Sequence, residues 1–212
     1  MLYIFPSLGR CGSTLLYNLV RKSMDQDWAW AETFDDIKRF KGRLIKTHSA
    51  FTGNLEIEWK AVFIYADIAE IIASLYNIKK NYRYPGSTEP ETWHTIHLKN
   101  LGVDKKHIVV FNFLLSFSRF AAFLFLVIGD KYGFSEKVIS WKKTGNTLFV
   151  NYNDLTNKKH KTMEKISKYL NVKLEDFEVK KRESSVNELP LLLKKVIQFQ
   201  YGNIKKIINS NQ

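Results

Sequence analysis

The chain has a single cysteine, Cys11, among its 212 residues. That excludes an internal disulfide and a metal site built from several thiolates. Proline is scarce at 4 residues, and no glycine- or serine-rich linker or internal repeat splits the sequence. One domain spanning residues 1–212 is therefore expected, long enough for a substantial core. Acidic side chains are in deficit, 21 Asp+Glu against 33 Lys+Arg, for a formal net charge of +12. This balance favours anionic partners. Long apolar runs are also lacking. The nearest, residues 109–128, is interrupted by Asn112, Ser116, Ser118 and Arg119, and a central arginine is costly in lipid. A buried or partly buried helix is expected there, not a transmembrane segment. No basic leader with an apolar core precedes the first strand, so no signal peptide is read and a cytoplasmic location is expected.

Hydrophobic residues make up 45% of the chain and aromatics 14%, which marks it as globular. Its most informative stretch is the first. Leu2 to Phe5 form a short apolar run that reads as a buried strand. A loop containing Gly9 and Gly12 follows, and Leu15, Leu16, Leu19 and Val20 then recur at helical spacing from about Ser13. A strand, a glycine loop and a helix N-terminus aim backbone N–H groups at one point, an arrangement suited to an anion. Ser13 and Thr14 add hydroxyl donors, and Arg10 supplies charge. Against the pattern G-x-x-x-x-G-K-[ST], Gly12 and Thr14 fit, but Ser7 replaces the first glycine and Ser13 the lysine. Without that lysine, kinase or ATPase chemistry lacks its point charge.

Residues 25–43 read as a loop-and-helix connection with interspersed aromatics. Leu44 and Ile45 then suit the end of a core strand, with Lys46, Thr47 and His48 at its carboxyl edge, where α/β sheets bind ligands. The unperturbed pKa of histidine, about 6.5, suits a general base. A lysine two residues earlier shares its side of an extended chain and can stabilise developing negative charge. Ala61–Tyr65 reads as a second core strand, after which Asp67 caps a helix with Ile68, Ile71, Ile72 and Leu75 inward and Ser74 along it. The basic, aromatic loop from Lys79 to Glu91 suits a pocket cover. His94 and His97 stand at i, i+3, but no third ligand accompanies them, and no metal is expected. Thr147–Tyr152 is a further strand, followed by one helix to about Leu170. A basic run, Lys180-Lys181-Arg182, precedes a helical C-terminal stretch from Leu189 to Ile208.

Four of these segments, in this order, resemble the sulfotransferases that use 3′-phosphoadenosine-5′-phosphosulfate (PAPS). Arg10-Cys11-Gly12-Ser13-Thr14-Leu15 resembles their 5′-phosphosulfate loop, and Lys46-Thr47-His48 the K-T-H of the cytosolic members. Val62 to Tyr76 resembles the strand and helix that hold the 3′-phosphate, and Phe149 to Leu155 the later Y-E-D-L strand end. The resemblance implies an α/β fold, a central mostly parallel sheet flanked by helices in a P-loop-like architecture. It implies sulfuryl transfer from PAPS to a hydroxyl or amine, with His48 as base, Lys46 beside it, and no metal. The donor site would comprise residues 10–14, Ser74, and the basic run Lys180, Lys181 and Arg182. One departure is Ala66, where the family carries an arginine on the 3′-phosphate. Losing such a contact costs about 1.5–3 kcal/mol, or roughly tenfold to a hundredfold in affinity.

Two other readings compete. A P-loop small-molecule kinase is disfavoured by Ser13, and a non-catalytic nucleotide- or polyanion-binding protein is favoured by Ala66 but disfavoured by Lys46 and His48. The lysines are scattered and no groove-reading motif appears, so no specific nucleic-acid partner is expected. The expected acceptor is a hydroxyl-bearing small molecule or glycan, its pocket shaped by residues 79–91 and the helix from Val109.

Overall fold

The computed structural model describes residues 1–24, 27–40, 44–78, 92–175 and 185–210. The Lys79–Glu91 loop and the run Lys180, Lys181 and Arg182 lie outside the described residues. Two compact units emerge, interleaved in sequence. One comprises Met1–Ala66 and Lys137–Glu183, the other Asp67–Glu136 and Ser184–Gln212.

The first unit opens with β1 (Leu2–Pro6), α1 (Ser13–Met24), β2 (Trp28–Ala31), α2 (Phe34–Arg39), β3 (Leu44–Thr47) and β4 (Trp59–Tyr65). The second follows with α3 (Ile68–Tyr76), α4 (Trp93–Asn100), α5 (Lys105–Phe117) and α6 (Arg119–Val127). The first unit resumes within α7 (Phe134–Lys143) and continues with β5 (Thr147–Asn151), α8 (Tyr152–Asn157) and α9 (Lys159–Leu170). A 3₁₀ turn (Val186–Glu188), α10 (Leu191–Tyr201) and α11 (Ile204–Asn209) complete the second unit.

All pairings in the five-stranded sheet are parallel, in the order β2-β3-β1-β4-β5. The α/β architecture expected from the sequence is thus present, with every strand parallel. Ile4 sits at its centre, opposite Ile45 on one side and Ala61 on the other. Ile4, Ile45 and Ala61 to Ile64 are fully buried, as the continuous apolar runs of a doubly covered parallel sheet require. From β1 the chain crosses towards β2, and from β4 towards β5. The carboxyl ends of β1 and β4 therefore send their connections in opposite directions, and a crevice opens between such strands.

Several local expectations change. β2 lies within residues 25–43, read from sequence as loop and helix. Residues 109–128 form two helices, because Ser118 takes an extended conformation (φ −149°, ψ 117°), closes α5 with its N–H on Leu114 and caps α6 through Oγ. The partly buried helix expected here is met in α5, where Val109, Val110, Phe113 and Phe117 are exposed while Ile108, Phe111 and Leu115 are buried. Residues 152–170 likewise divide at Lys158, and the C-terminal stretch at Gly202–Asn203.

Candidate functional site

At the carboxyl end of β1, three residues of the loop have positive φ: Gly9 at +75°, Arg10 at +50° and Gly12 at +75°. Left-handed residues curl successive peptide units so that their N–H groups converge, forming an anion-binding concavity. At Gly12 a side chain is excluded twice over. Beyond its φ, an added Cβ would collide with the ring of Tyr152, the first residue of α8. α1 starts directly afterwards, with Leu15 and Leu16 donating to the Gly12 carbonyl at 3.0 and 3.2 Å. Its positive end thus opens beside the loop.

The loop is tied to the strands on either side. Ser7 bridges Ile64 of β4, and its N–H donates to Thr47 of β3 at 3.2 Å. Cys11 is fully buried, and its thiol donates to the Ile64 carbonyl at 3.3 Å. Burial pushes that thiol up to about 12, so it stays neutral and is no nucleophile. Among the candidate donor-site residues, Cys11 contributes its main chain, with its side chain turned inward. Ser13 is buried, whereas Thr14 is exposed at the loop's rim.

From β3, Lys46 reaches over the start of α1 and donates from Nζ to Thr14 Oγ1 at 2.6 Å. Burial holds the Lys46 ammonium below its ordinary pKa. An anion in the loop would offset this desolvation. Two residues on, His48 Nδ1 lies 2.7 Å from Ser7 Oγ and 3.1 Å from the Ser7 carbonyl. A carbonyl can only accept, so Nδ1–H as donor to Ser7 fits these contacts and leaves Nε2 as the basic nitrogen. The Ser7 hydroxyl also accepts from Gly9 N–H at 3.3 Å, which links the imidazole to the loop.

The chain beyond His48 is anchored from behind. The Ser49 carbonyl accepts from Trp141 Nε1 at 2.9 Å, and Phe51 N–H donates to Ser140 Oγ at 2.9 Å. Phe51 also packs edge-on against Phe34 and Trp141 and stacks on Trp59.

Residues 10–14, Lys46 and His48 are thus brought together at one sheet edge. Ser74 belongs to α3 of the second unit, and Ala66 is buried just past β4. His94 lies in an aromatic core with Phe111 and Phe123, while the His97 ring stacks on Trp93. Sequence reasoning missed Trp30 of β2. Its ring meets His48 edge-on at 4.9 Å between centroids, and Lys46 Nζ sits 5.3 Å from its centre. The register that sets Trp30 opposite Lys46 explains this. The alternation Trp28-Ala29-Trp30-Ala31 is the one sequence signal that pointed to it. Tyr152, which the sequence places at the end of a strand, instead opens α8 with its ring against Gly12.

The family model described as "Sulfotransferase domain" matches residues 28–189. It begins beyond the glycine loop. No curated protein sequence matches significantly. Among solved structures, the chain is similar to the mouse sulfotransferase SULT7A1 complexed with PAP. The TM-score is 0.58 at 14% identity, over 99% of this chain and 86% of that one. At that identity the likeness shows the fold.

Proposed function

The chain belongs to the sulfotransferase domain family, and from that premise we propose that it transfers a sulfuryl group from PAPS to a hydroxyl or amine, with His48 as general base. One observation carries the reading. Lys46 bonds to the hydroxyl at the start of α1, while His48, two residues later, is held by the residue that opens the glycine loop. A charge and a base are therefore both fixed to the rim of one anion cradle. The similar mouse sulfotransferase is complexed with PAP, the product such a transfer leaves behind, and this supports the donor assignment.

The residues present fit the 5′ end of the donor. N–H groups of Gly12, Ser13 and Thr14, with the two hydroxyls, would hold the phosphate; Arg10 and Lys46 would neutralise charge on the sulfonate and the departing phosphate oxygen. His48 Nε2 takes the acceptor proton as the acceptor oxygen bonds to sulfur and the sulfur–oxygen bond to the phosphate breaks. Trp30, against both His48 and Lys46, offers an aromatic wall suited to an apolar or sugar-bearing acceptor. At the 3′ end, Ala66 offers no charge, and Ser74 remains the proposed contact, together with Lys180, Lys181 and Arg182.

Replacing His48 with alanine is expected to lower turnover by ~10²–10⁴. PAP binding, measured by calorimetry on both proteins, should stay within a few-fold, with a clear preference over ATP and AMP. Near-normal turnover in His48→Ala would move the base elsewhere. Equal affinity for PAP and AMP would favour a non-catalytic anion-binding role.

A further inference from the structure

Large hydrophobic side chains are exposed chiefly in the second unit. Among the described residues, all of them except Met1, Trp28 and Ile57 lie there. On α5, Val109, Val110, Phe113 and Phe117 follow one another at i, i+1, i+4 and i+8, which places them on a single stripe. The opposite face, carrying Ile108, Phe111 and Leu115, is buried. Phe113 and Phe117 are 64% and 77% exposed and pack edge-on against each other at 5.1 Å, making one aromatic patch.

Charge along this helix has one sign. Lys105 and Lys106 are exposed at its N-terminal end, and the helix itself contains no acidic residue. Asp104 is the N-cap, with one oxygen on the Lys106 N–H and the other 3.5 Å from Lys106 Nζ. The pattern recurs on α10, which packs on α6 as α5 does. There Leu191, Leu192, Lys195 and Phe199 are exposed at the same spacing, again with no acidic residue in the helix.

We propose that this face docks in the headgroup plane of an anionic lipid bilayer. An exposed apolar stripe with aromatic residues, accompanied by lysines and with no carboxylate inside either helix, matches an interfacial helix. Spanning is not at issue. α5 has 13 residues, about 20 Å at 1.5 Å each, and among the described residues no helix is long and apolar enough to cross a membrane. A second copy of the chain fits less well, because it carries the same +12 charge and would set lysine against lysine. The proposal does not depend on the nucleotide reading, whose glycine loop, Lys46 and His48 lie in the first unit.

The test is cosedimentation of the full chain with vesicles of phosphatidylcholine, with or without phosphatidylserine. Binding is expected to the phosphatidylserine vesicles and to fall sharply near 1 M salt, where the Debye length shrinks to about 3 Å. Neutralising lysines should weaken it by about fivefold each, so Lys105→Gln/Lys106→Gln should lose more than tenfold. Phe113→Ser/Phe117→Ser should lose at least as much. All four positions are exposed, so unchanged circular dichroism and unfolding midpoints should accompany the loss. Absence of binding to phosphatidylserine vesicles would overturn the proposal. So would wild-type binding by the phenylalanine variant, or a light-scattering dimer that this variant breaks while vesicles are ignored.

Discussion

Gly12 is the residue at which loop geometry and packing make the same demand. Its φ of +75° is disfavoured for an L side chain, and a methyl group there would meet the Tyr152 ring. Gly12→Ala is expected to cost roughly 1–3 kcal/mol by urea unfolding and to weaken PAP binding, because the cradle must shift. Adding Tyr152→Ala should remove the collision but not the backbone strain, so stability relative to Tyr152→Ala alone should still fall, by a smaller amount. Equal penalties in the two backgrounds would show that the ring contact is irrelevant. His94 makes a different demand. Burial, followed by the Arg119 charge, lowers its pKa from 6.5 to about 4. Between those values the unfolded chain binds the proton more readily, so stability is full above about pH 6.5 and drains away as pH falls to about 4. The loss attributable to this group is at most about 3 kcal/mol. His94→Gln should flatten the fall in urea-unfolding free energy between pH 7 and pH 4.5; an unchanged slope would place the acid sensitivity elsewhere. The loop and the Lys46-Thr47-His48 edge were legible because glycine, lysine and histidine carry their chemistry in their identity. Trp30 and Tyr152 were not, since their roles arise from a strand register and a packing contact that no local pattern encodes.

At the level of elements, four strands were readable: the partly buried edge strand β5, from its β-branched and aromatic content, and three central ones. Leu2–Phe5, Leu44–Ile45 and Ala61–Tyr65 are continuous apolar runs, and each lies within the parallel sheet. β2 escaped because it is a short edge strand of alternating tryptophan and alanine, with Trp28 half exposed, amid polar sequence. Helical periodicity found most of the helices, though not α7, and missed the breaks within the longer stretches. Residues 109–127 keep an apolar pattern across Ser118, whose hydroxyl nonetheless caps α6 through Ala121 at 3.3 Å. Removing that cap with Ser118→Ala should cost about 1 kcal/mol in chemical unfolding. The alternative, a continuous helix that keeps or gains stability, would appear as increased helical ellipticity and would refute the capping role.

For the molecule as a whole, the +12 charge sets the terms on which any ligand binds. A chain with this excess repels itself, so an anion that binds only the native state contributes twice: it fills the cradle beside Lys46 and relieves part of the repulsion. Lys46 sharpens the effect. Its ammonium is disfavoured by burial in the ligand-free chain, and a phosphate near Thr14 would favour the charged form again. PAP at a hundredfold excess over its Kd should stabilise by about 2.7 kcal/mol, which for a chain of this size raises Tm by roughly 5–10 °C. Added salt should erode the shift, since competing anions raise the apparent Kd and screening weakens the attraction. Lys46→Met should reduce the shift at low salt and make it less salt-sensitive, because one of the charges that responds to ionic strength is gone. Scanning calorimetry of both proteins, with PAP and ATP at low and high salt, checks each part. A Tm shift from ATP equal to that from PAP would mean that the cradle senses phosphate charge alone, without selecting the 3′-phosphorylated nucleotide that sulfuryl transfer requires.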